Sequence, residues 1–290
     1  MSLKSNVVGK MTRLIQGQDV NVISRLVPQP MLGFSVHLTE HCNLNCKACA
    51  HFAPLVKDEG FTDIGEFTKD MERLSELSHG EVRYIDLLGG EPLLHPEIAA
   101  FLKVTRKCFP VGAVRLITNG LLLKKMKQDF WDAVSENQIV IVISKYLDTV
   151  DYDELIALIR EKARGGYGAY YIDYTRGGFW SRDLDPKGQN NPVTSYLTCP
   201  MANNCHFLSH GKMYTCVKPA NIRYFNEYFE KDIAVSDRDG IDIYEAKCLE
   251  EIMSFLAKPI PFCRYCNFSA TVWTQGGQKS AKEIGEWVAE

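Results

Sequence analysis

The sequence lacks the features that mark several protein classes. No run of about 18 or more apolar residues occurs in the 290-residue chain, which argues against a membrane-spanning helix. The 33 Lys and Arg residues nearly balance the 36 Asp and Glu residues, giving a net charge of −3, so we expect no surface for bulk nucleic-acid binding. With 46% hydrophobic and 24% charged residues, the composition excludes disorder as the main state.

A secretion signal is also missing. The first residues, Met1-Ser2-Leu3-Lys4, lack the apolar stretch of a signal peptide, so we expect a cytoplasmic protein. The ten cysteines are unusual in that setting. Clustered cysteines in a reducing compartment hold metal more often than they form disulfides, so the sequence predicts metal or cluster sites.

Hydrophobic periodicity predicts alternating strands and helices as far as about residue 175. At least five repeats predict βα units with parallel strands, and in such folds the chemistry collects at the carboxyl ends of the strands. The predicted strands are 34–39, 82–88, 113–118, 139–143 and 170–174, and the predicted helices are 64–77, 98–108, 121–136 and 151–163.

The pattern changes after about residue 180. Residues 181–198 are rich in Asp, Gly, Asn and Pro, which predicts a linker or surface loop. Residues 205–216 predict a hairpin that turns at His210-Gly211, and residues 245–257 predict a helix. The expected organisation is a lead-in at 1–30, an α/β domain at 31–185 and a small domain at 186–290.

Cys42, Cys46 and Cys49 follow the first predicted strand in a C-x3-C-x2-C pattern. Thiolates this close in sequence can converge without long-range folding, and Cys thiolates normally hold iron–sulfur clusters. A four-iron cubane held by three thiolates leaves one iron open to a small molecule. Zinc is the alternative, with His41 or His51 as a fourth ligand.

The wider pattern resembles the radical S-adenosylmethionine (SAM) superfamily over roughly residues 34–175. After the cysteine motif comes Gly89-Gly90-Glu91-Pro92 behind the second predicted strand, and Asn119-Gly120 behind the third. The resemblance implies an α/β fold, a partial (β/α)6 TIM-like barrel. It also implies that Cys42, Cys46 and Cys49 ligate a 4Fe–4S cluster and that SAM is contacted by Gly89, Gly90, Glu91, Asn119 and Ser144.

The same resemblance implies a reaction. One electron from the cluster cleaves SAM to methionine and a 5′-deoxyadenosyl radical, which abstracts a hydrogen atom from a substrate. A flavodoxin or ferredoxin is expected to deliver the electron. One departure is Ala48, which stands where the family usually has an aromatic residue against adenine, and Phe52 or His51 is expected to take over that contact.

A second set of cysteines occupies the last third of the chain. Its spacing resembles the auxiliary-cluster module called a twitch domain, the shortened relative of the SPASM domain. The resemblance implies a β-hairpin and a helix around a second 4Fe–4S cluster that relays electrons; structural zinc is the alternative. Cys205 is an alternative ligand to Cys199, an inert thiol or a hydrogen donor to a substrate radical. The implied ligands are Cys199, Cys216, Cys263 and Cys266.

These motifs leave three hypotheses about function. The first is a radical SAM oxidoreductase or epimerase acting on a sugar, an aminocyclitol or a nucleotide-linked sugar, since the short lead-in leaves no room for a peptide-recognition domain. The second is a maturase that modifies a ribosomal peptide or a protein. The third is a non-catalytic zinc-binding interaction protein.

Overall fold

A large, mostly parallel sheet organises the chain, which a computed structural model describes over residues 24–163, 168–177, 179–274 and 276–288. The strands in those ranges are β1 (Gly33–Thr39), β2 (Tyr84–Gly89), β3 (Ala113–Thr118), β4 (Val140–Lys145), β5 (Ala169–Asp173), β6 (Phe179–Leu184), β7 (His206–Ser209), β8 (Lys212–Tyr214), β9 (Gly240–Asp242) and β10 (Cys266–Thr274). The α-helices in the same ranges are α1 (Ile64–Ser78), α2 (Ile98–Cys108), α3 (Gln128–Glu136), α4 (Tyr152–Lys162), α5 (Tyr174–Gly177), α6 (Pro192–Leu197), α7 (Val217–Phe229) and α8 (Leu249–Leu256).

The main sheet has the strand order β5-β4-β3-β2-β1-β7-β8-β9. Strands β1 to β5 are parallel, and a helix from α1 to α4 lies in each crossover. Strand β7 pairs in parallel with the other side of β1, and β8 and β9 extend the sheet in antiparallel pairs. Because the two end strands, β5 and β9, do not meet in the described chain, the sheet is not closed. The predicted α/β class with a partial barrel is confirmed.

Helix α1 shows how the local sequence builds a crossover. The Asp63 carboxylate accepts hydrogen bonds from the backbone N–H groups of Gly65 and Glu66, which caps the first turn. Phe67, Met71 and Leu74 then recur at helical spacing, and all three are buried against the sheet. The predicted helix at 64–77 is therefore present with nearly the predicted ends.

The two faces of the parallel strands differ in burial. Successive side chains of a strand point to opposite faces. On the helix-covered face, Phe34, Ile85, Val114 and Ile141 are 0% exposed. Their neighbours on the other face, such as Arg115, remain partly exposed. We call that other face the inner face, and we call the space that it borders the cleft.

A second hydrophobic core lies beside the sheet. It joins Phe52 and Leu55, from the loop after β1, to Ile222 and Phe225 of α7 and to Trp287. Strands β6 and β10 form a separate two-stranded antiparallel sheet. The segment proposed as a small domain at 186–290 contributes to both cores, because its residues Leu208, Met213, Ile243, Ile252, Met253 and Leu256 belong to the main core.

Two sequence predictions about elements differ from the structure, and a third falls largely outside the described residues. The helix predicted at 121–136 begins at Gln128, after a 3-10 turn at Leu123–Lys125. The linker predicted at 181–198 contains the end of β6 and all of α6. Of the predicted lead-in, residues 1–23 lie outside the described residues. Within the described ranges, none of the helices has the length and apolar character needed to cross a membrane.

Candidate functional site

The three cysteines of the first motif lie together in the loop that leaves the carboxyl end of β1. Asn45 and Ala48 turn this loop with positive φ angles of 54° and 55°. Burial, followed by the charges of Cys49 and Cys42, raises the pKa of Cys46 to about 12. The three thiols therefore lie within range of one another's charge. A metal that binds them must displace their protons.

Two glycines at the end of β2 hold this loop against the sheet. The Gly90 N–H donates to the Thr39 carbonyl at 2.8 Å, and the Glu91 N–H donates to the His41 carbonyl at 3.0 Å. A Cβ atom on Gly90 would lie 1.9 Å from the His41 oxygen, and one on Gly89 would lie 2.2 Å from the Thr39 oxygen. Only glycine permits this approach, so the glycine pair fixes the position of the cysteine loop.

Glu91 is buried beside the loop, at 1% exposed. Its carboxylate accepts from the Thr118 hydroxyl at 2.6 Å and from the backbone N–H groups of Asn119 at 2.8 Å and Leu93 at 3.1 Å. Burial raises its pKa to about 7 against these hydrogen bonds. Burial, with a contribution from the charge of Glu91, also raises the pKa of Cys42 to about 11, which places this carboxylate near the first thiol.

Asn119 and Ser144 reach the same region from the ends of β3 and β4. The Asn119 side-chain amide donates to Asn43 Oδ1 at 2.7 Å and lies 3.9 Å from Cys42 Sγ. Ser144 is buried and hydrogen-bonds with the hydroxyl of Tyr146. The ends of four strands therefore converge on the cysteine loop.

Tyr146 is a site residue that the sequence analysis missed. Burial raises the pKa of its hydroxyl, with contributions from the charges of Cys46 and Cys49, so this hydroxyl lies close to two of the three thiols. Its ring stacks on Tyr174, with centroids 5.2 Å apart and planes 19° apart. The only sequence signal is its position two residues after Ser144.

Phe52, the residue expected at adenine, lies in the second hydrophobic core. Its ring is 0% exposed and packs against Phe225 and Trp287, with centroids 5.9 and 6.4 Å away. It supports the cysteine loop from behind and has no ring surface left for a nucleotide.

His51, the other expected replacement, is held in a buried polar chain. Its Nδ1 lies 2.7 Å from Nε2 of His37, whose Nδ1 lies 2.8 Å from a Glu40 oxygen. Burial lowers the pKa of His51 to about 3, so its ring is neutral. His41, the other candidate fourth zinc ligand, has its Nδ1 2.9 Å from the Thr39 hydroxyl.

Residues 276–288 fold back over the cysteine loop, which the sequence analysis did not foresee. The segment pairs with the loop through an antiparallel bridge between Cys46 and Lys279. No local pattern links residues 238 positions apart, as Trp287 and Cys49 are. The hydrogen bonds that join the two segments run from Lys47 N to Gln278 O, from Ser280 N to Asn45 O, from Ala48 N to Glu286 Oε2 and from Trp287 Nε1 to Cys49 O, at 2.9 to 3.3 Å.

The second set of cysteines also comes together. Burial and then the charges of Cys266, Cys263 and Cys199 raise the pKa of Cys216 far above its ordinary value, so the four thiols are neighbours. Burial and the charges of Asp86 and Cys199 raise the pKa of Cys205 to about 11. Cys199 thus acts on both Cys216 and Cys205, and its place as the fourth ligand stays a prediction.

The two sets lie at opposite ends of the strands. Strand β7 is parallel to β1, so residues just before it, including Cys199 and Cys205, lie at the amino end of the sheet. Strand β8 is antiparallel to β7, so Cys216, just after β8, lies at the same end. The cysteine loop after β1 lies at the carboxyl end, and the cleft of the inner face runs between the two sets.

The donor chemistry of both sets fits iron–sulfur clusters, whose usual ligands are Cys thiolates. Over the described residues, no group of three or more His, Cys, Asp or Glu side chains is close enough to hold a single metal ion. Ligands of a cubane bind separate irons and so stand farther apart than ligands around one ion. That these seven cysteines are cluster ligands stays a prediction.

Comparison with known proteins identifies one part of the chain. Residues 36–173 match the profile of the Radical SAM superfamily. Two curated relatives are each named GTP 3′,8-cyclase. The one from Staphylococcus carnosus is 30% identical over 163 residues, which are 53% of this chain and 45% of the relative. The one from Chlorobaculum tepidum is 29% identical over 126 residues, 43% of this chain and 35% of the relative. The matched region thus spans less than half the length of either relative.

A solved structure matches over more of the chain. The crystal structure of BtrN in complex with AdoMet and 2-DOIA superposes with a TM-score of 0.53 and 18% identity. The match covers 87% of this chain and 98% of that chain, so the two proteins share a fold.

Proposed function

We propose that the protein is a radical SAM enzyme that removes a hydrogen atom from a small polar substrate, in keeping with the match of residues 36–173 to that superfamily. The observation that carries the proposal is the meeting of three thiols, a glycine pair and Glu91 at one edge of the sheet. When bound to Cys42, Cys46 and Cys49, a 4Fe–4S cluster supplies the electron that cleaves SAM to methionine and a 5′-deoxyadenosyl radical.

The chain's own residues orient SAM. The Glu91 carboxylate accepts three hydrogen bonds and has about one acceptor position left, which suits the methionine ammonium group. Asn119 joins the end of β3 to the loop through Asn43, and Ser144 at the end of β4 hydrogen-bonds with Tyr146. We assign the adenine contact to Tyr146, because its hydroxyl lies within range of the charges of Cys46 and Cys49, whereas the Phe52 ring is enclosed in a core.

The second set of thiols suits an electron relay. A two-electron oxidation requires the substrate to give up one hydrogen atom to the adenosyl carbon, then one proton and one electron. We assign the acceptance of that electron to a second 4Fe–4S cluster on Cys199, Cys216, Cys263 and Cys266. This assignment rests on the proximity of the four thiols and on their place across the cleft from the first set.

Epimerisation is a second candidate reaction, favoured by the position of Cys205. Its charge acts on Tyr84 and Tyr174, so the thiol faces the cleft, and its raised pKa keeps the sulfur protonated at neutral pH. A protonated thiol can return a hydrogen atom to the opposite face of a substrate radical. To regain the thiol, the resulting thiyl radical needs one electron and one proton, and a cluster held by Cys199, Cys216, Cys263 and Cys266 would supply the electron while water supplies the proton.

Metal content and SAM cleavage test the proposed function. Protein reconstituted anaerobically with iron and sulfide should hold about eight irons per chain, as two 4Fe–4S clusters require. With dithionite it should release 5′-deoxyadenosine from SAM. Cys46→Ala should abolish the release, while Cys108→Ala, which alters a buried cysteine of α2, should not. Iron near zero with stoichiometric zinc would refute the proposal and favour the zinc-binding alternative.

Solvent deuterium separates the two candidate reactions. Epimerisation in D2O places one deuterium on the inverted carbon of the product, because the thiol exchanges with solvent, and Cys205→Ala should stop product formation. Oxidation places no deuterium there and survives the substitution. Mass spectrometry of the product measures both.

A further inference from the structure

A charged pair lies in the middle of the inner face, between the two sets of cysteines. Arg115 of β3 donates from Nε to Asp86 Oδ1 of β2 at 2.5 Å and from Nη2 to Oδ2 at 2.7 Å. The two residues occupy paired register positions on adjacent strands. The Arg115 side chain is 30% exposed, and its Nη1 has no hydrogen-bond partner among the described residues. This nitrogen is therefore available to a molecule in the cleft.

The surroundings of the pair are aromatic. The Arg115 guanidinium lies 4.3 Å from the ring centroid of Tyr84, and Tyr170 of β5 is 45% exposed on the same face. Pockets for small molecules combine apolar and aromatic walls with a few well-placed polar groups, and this part of the cleft has that composition.

The pair is electrically balanced. Strand alternation directs Ser35, Tyr84, Arg115 and Val142 to the inner face, and Lys145 with Asp173 to the opposite one. In the described strands β1 to β5, the charged side chains on the inner face are Asp86 and Arg115. Their opposite charges neutralise each other. Arg83, just before β2, adds one cation beside Tyr84: its guanidinium lies 4.9 Å from that ring and donates to Asn204 Oδ1 at 3.3 Å. A triphosphate would need several uncompensated cations, because Arg and Lys are the groups that bind phosphates.

We propose that Asp86 and Arg115 form the subsite that anchors the substrate, and that it takes a polyhydroxylated ring, either neutral or carrying an amino group, rather than a nucleoside triphosphate. The inference rests on the proposed function, since it names the substrate class of the same cleft. Arg115 Nη1 donates to a ring or hydroxyl oxygen. The Asp86 oxygens, which each have a further lone pair, accept from a hydroxyl or an ammonium group, and the apolar face of the ring packs on Tyr84.

Calorimetric titration of the reconstituted protein with SAM bound tests this subsite. The probes are myo-inositol, glucosamine, glucosamine 6-phosphate and GTP, under anaerobic conditions. The wild type should bind glucosamine at least about tenfold more tightly than GTP. The ratio compared among variants is the affinity for glucosamine 6-phosphate divided by the affinity for glucosamine. Asp86→Asn leaves a net positive subsite and should shift this ratio about tenfold toward glucosamine 6-phosphate. Arg115→Gln leaves a net negative subsite and should shift the ratio about tenfold toward glucosamine.

A matched control distinguishes a subsite from a structural ion pair. Lys145 and Asp173 form a pair at 3.2 Å between neighbouring strands on the opposite face, so Lys145→Gln should leave the ratio unchanged. Where Asp86→Asn does not fold, Arg115→Lys, which keeps the charge and removes the planar fork, should weaken glucosamine binding about tenfold without changing the ratio. Shifts of the ratio in the same direction in both charge variants would overturn the inference.

The proposed function and the subsite fail in different ways. If the wild type cleaves SAM but binds none of the probes, or binds GTP more tightly than glucosamine, the subsite is wrong and the proposed function stands. If the protein binds the probes but releases no 5′-deoxyadenosine with dithionite, the proposed function is wrong.

Discussion

The contact between Gly90 and the cysteine loop yields the sharpest prediction. In Gly90→Ala the new Cβ would lie 1.9 Å from the His41 carbonyl oxygen and 2.8 Å from the Cys42 backbone nitrogen. Both neighbours are backbone atoms, so no side chain can rotate away. The loop would have to move by about 1.5 Å to reach an ordinary contact distance.

The expected cost is large for one methyl group. Overpacking of this kind costs about 1–3 kcal/mol. The movement also stretches the hydrogen bonds Gly90 N–Thr39 O and Glu91 N–His41 O, each of which contributes about 1 kcal/mol. We expect a loss of about 3 kcal/mol, which corresponds to a fall in Tm of about 6–12 °C for a domain of this size. Displacement of Cys42 should also lower the iron bound at the first set of thiols.

Thermal unfolding of the reduced apoprotein and iron analysis after reconstitution measure the two effects. Gly285→Ala is the matched control, because its Cβ meets nothing within 4 Å, and it should match the wild type in both measurements. If Gly90→Ala unfolds at the wild-type temperature and binds the same amount of iron, the glycine pair does not position the loop and the reasoning is wrong.

Three further predictions concern the thiols, the buried carboxylate and the indole. Cys216→Ala should lower bound iron from about eight to about four per chain while uncoupled SAM cleavage persists; loss of all iron would contradict two separate sites. Since burial raises the pKa of Glu91 to about 7, the carboxylate is protonated below that pH. SAM affinity, measured by titration, should then weaken about tenfold from pH 8 to pH 6 in the wild type and stay flat in Glu91→Gln. Trp287→Phe, which removes the hydrogen bond to Cys49 O, should lower the free energy of unfolding by about 1 kcal/mol, and Trp287→Ala by about 3–5 kcal/mol; equal losses in a denaturant titration would contradict a role for the N–H.

Local signals in the sequence predicted the parallel half of the fold well. Asp63 and the apolar spacing of Phe67 and Met71 are enough to begin and orient α1, because capping and periodicity act within one helix. The linker predicted at 181–198 was wrong because a local helix signal was overlooked there. Its Asn191 caps α6 by accepting from two backbone N–H groups, a short signal within a segment rich in turn residues.

The parts of the site that sequence could not reveal depend on distant contacts. The cysteine spacing and the glycine pair predicted which residues meet at the strand ends. Whether Phe52 or Tyr146 faces the thiols depends on which ring the second core encloses, and α7 and Trp287 decide that. Cys199 and Cys205 both precede β7, and their spacing alone does not separate them.

The folding back of residues 276–288 has a consequence for synthesis of the protein. The Ala48 and Cys49 backbone groups find partners that lie 238 positions later. At bacterial or eukaryotic translation speeds, a ribosome needs about 10–50 s to make that length of chain. During that interval the three thiols of the nascent loop lack the segment that later covers them. A metal that bound before translation was complete would meet an unfinished binding loop. Until residues 276–288 are made, the thiols are also exposed to oxidation.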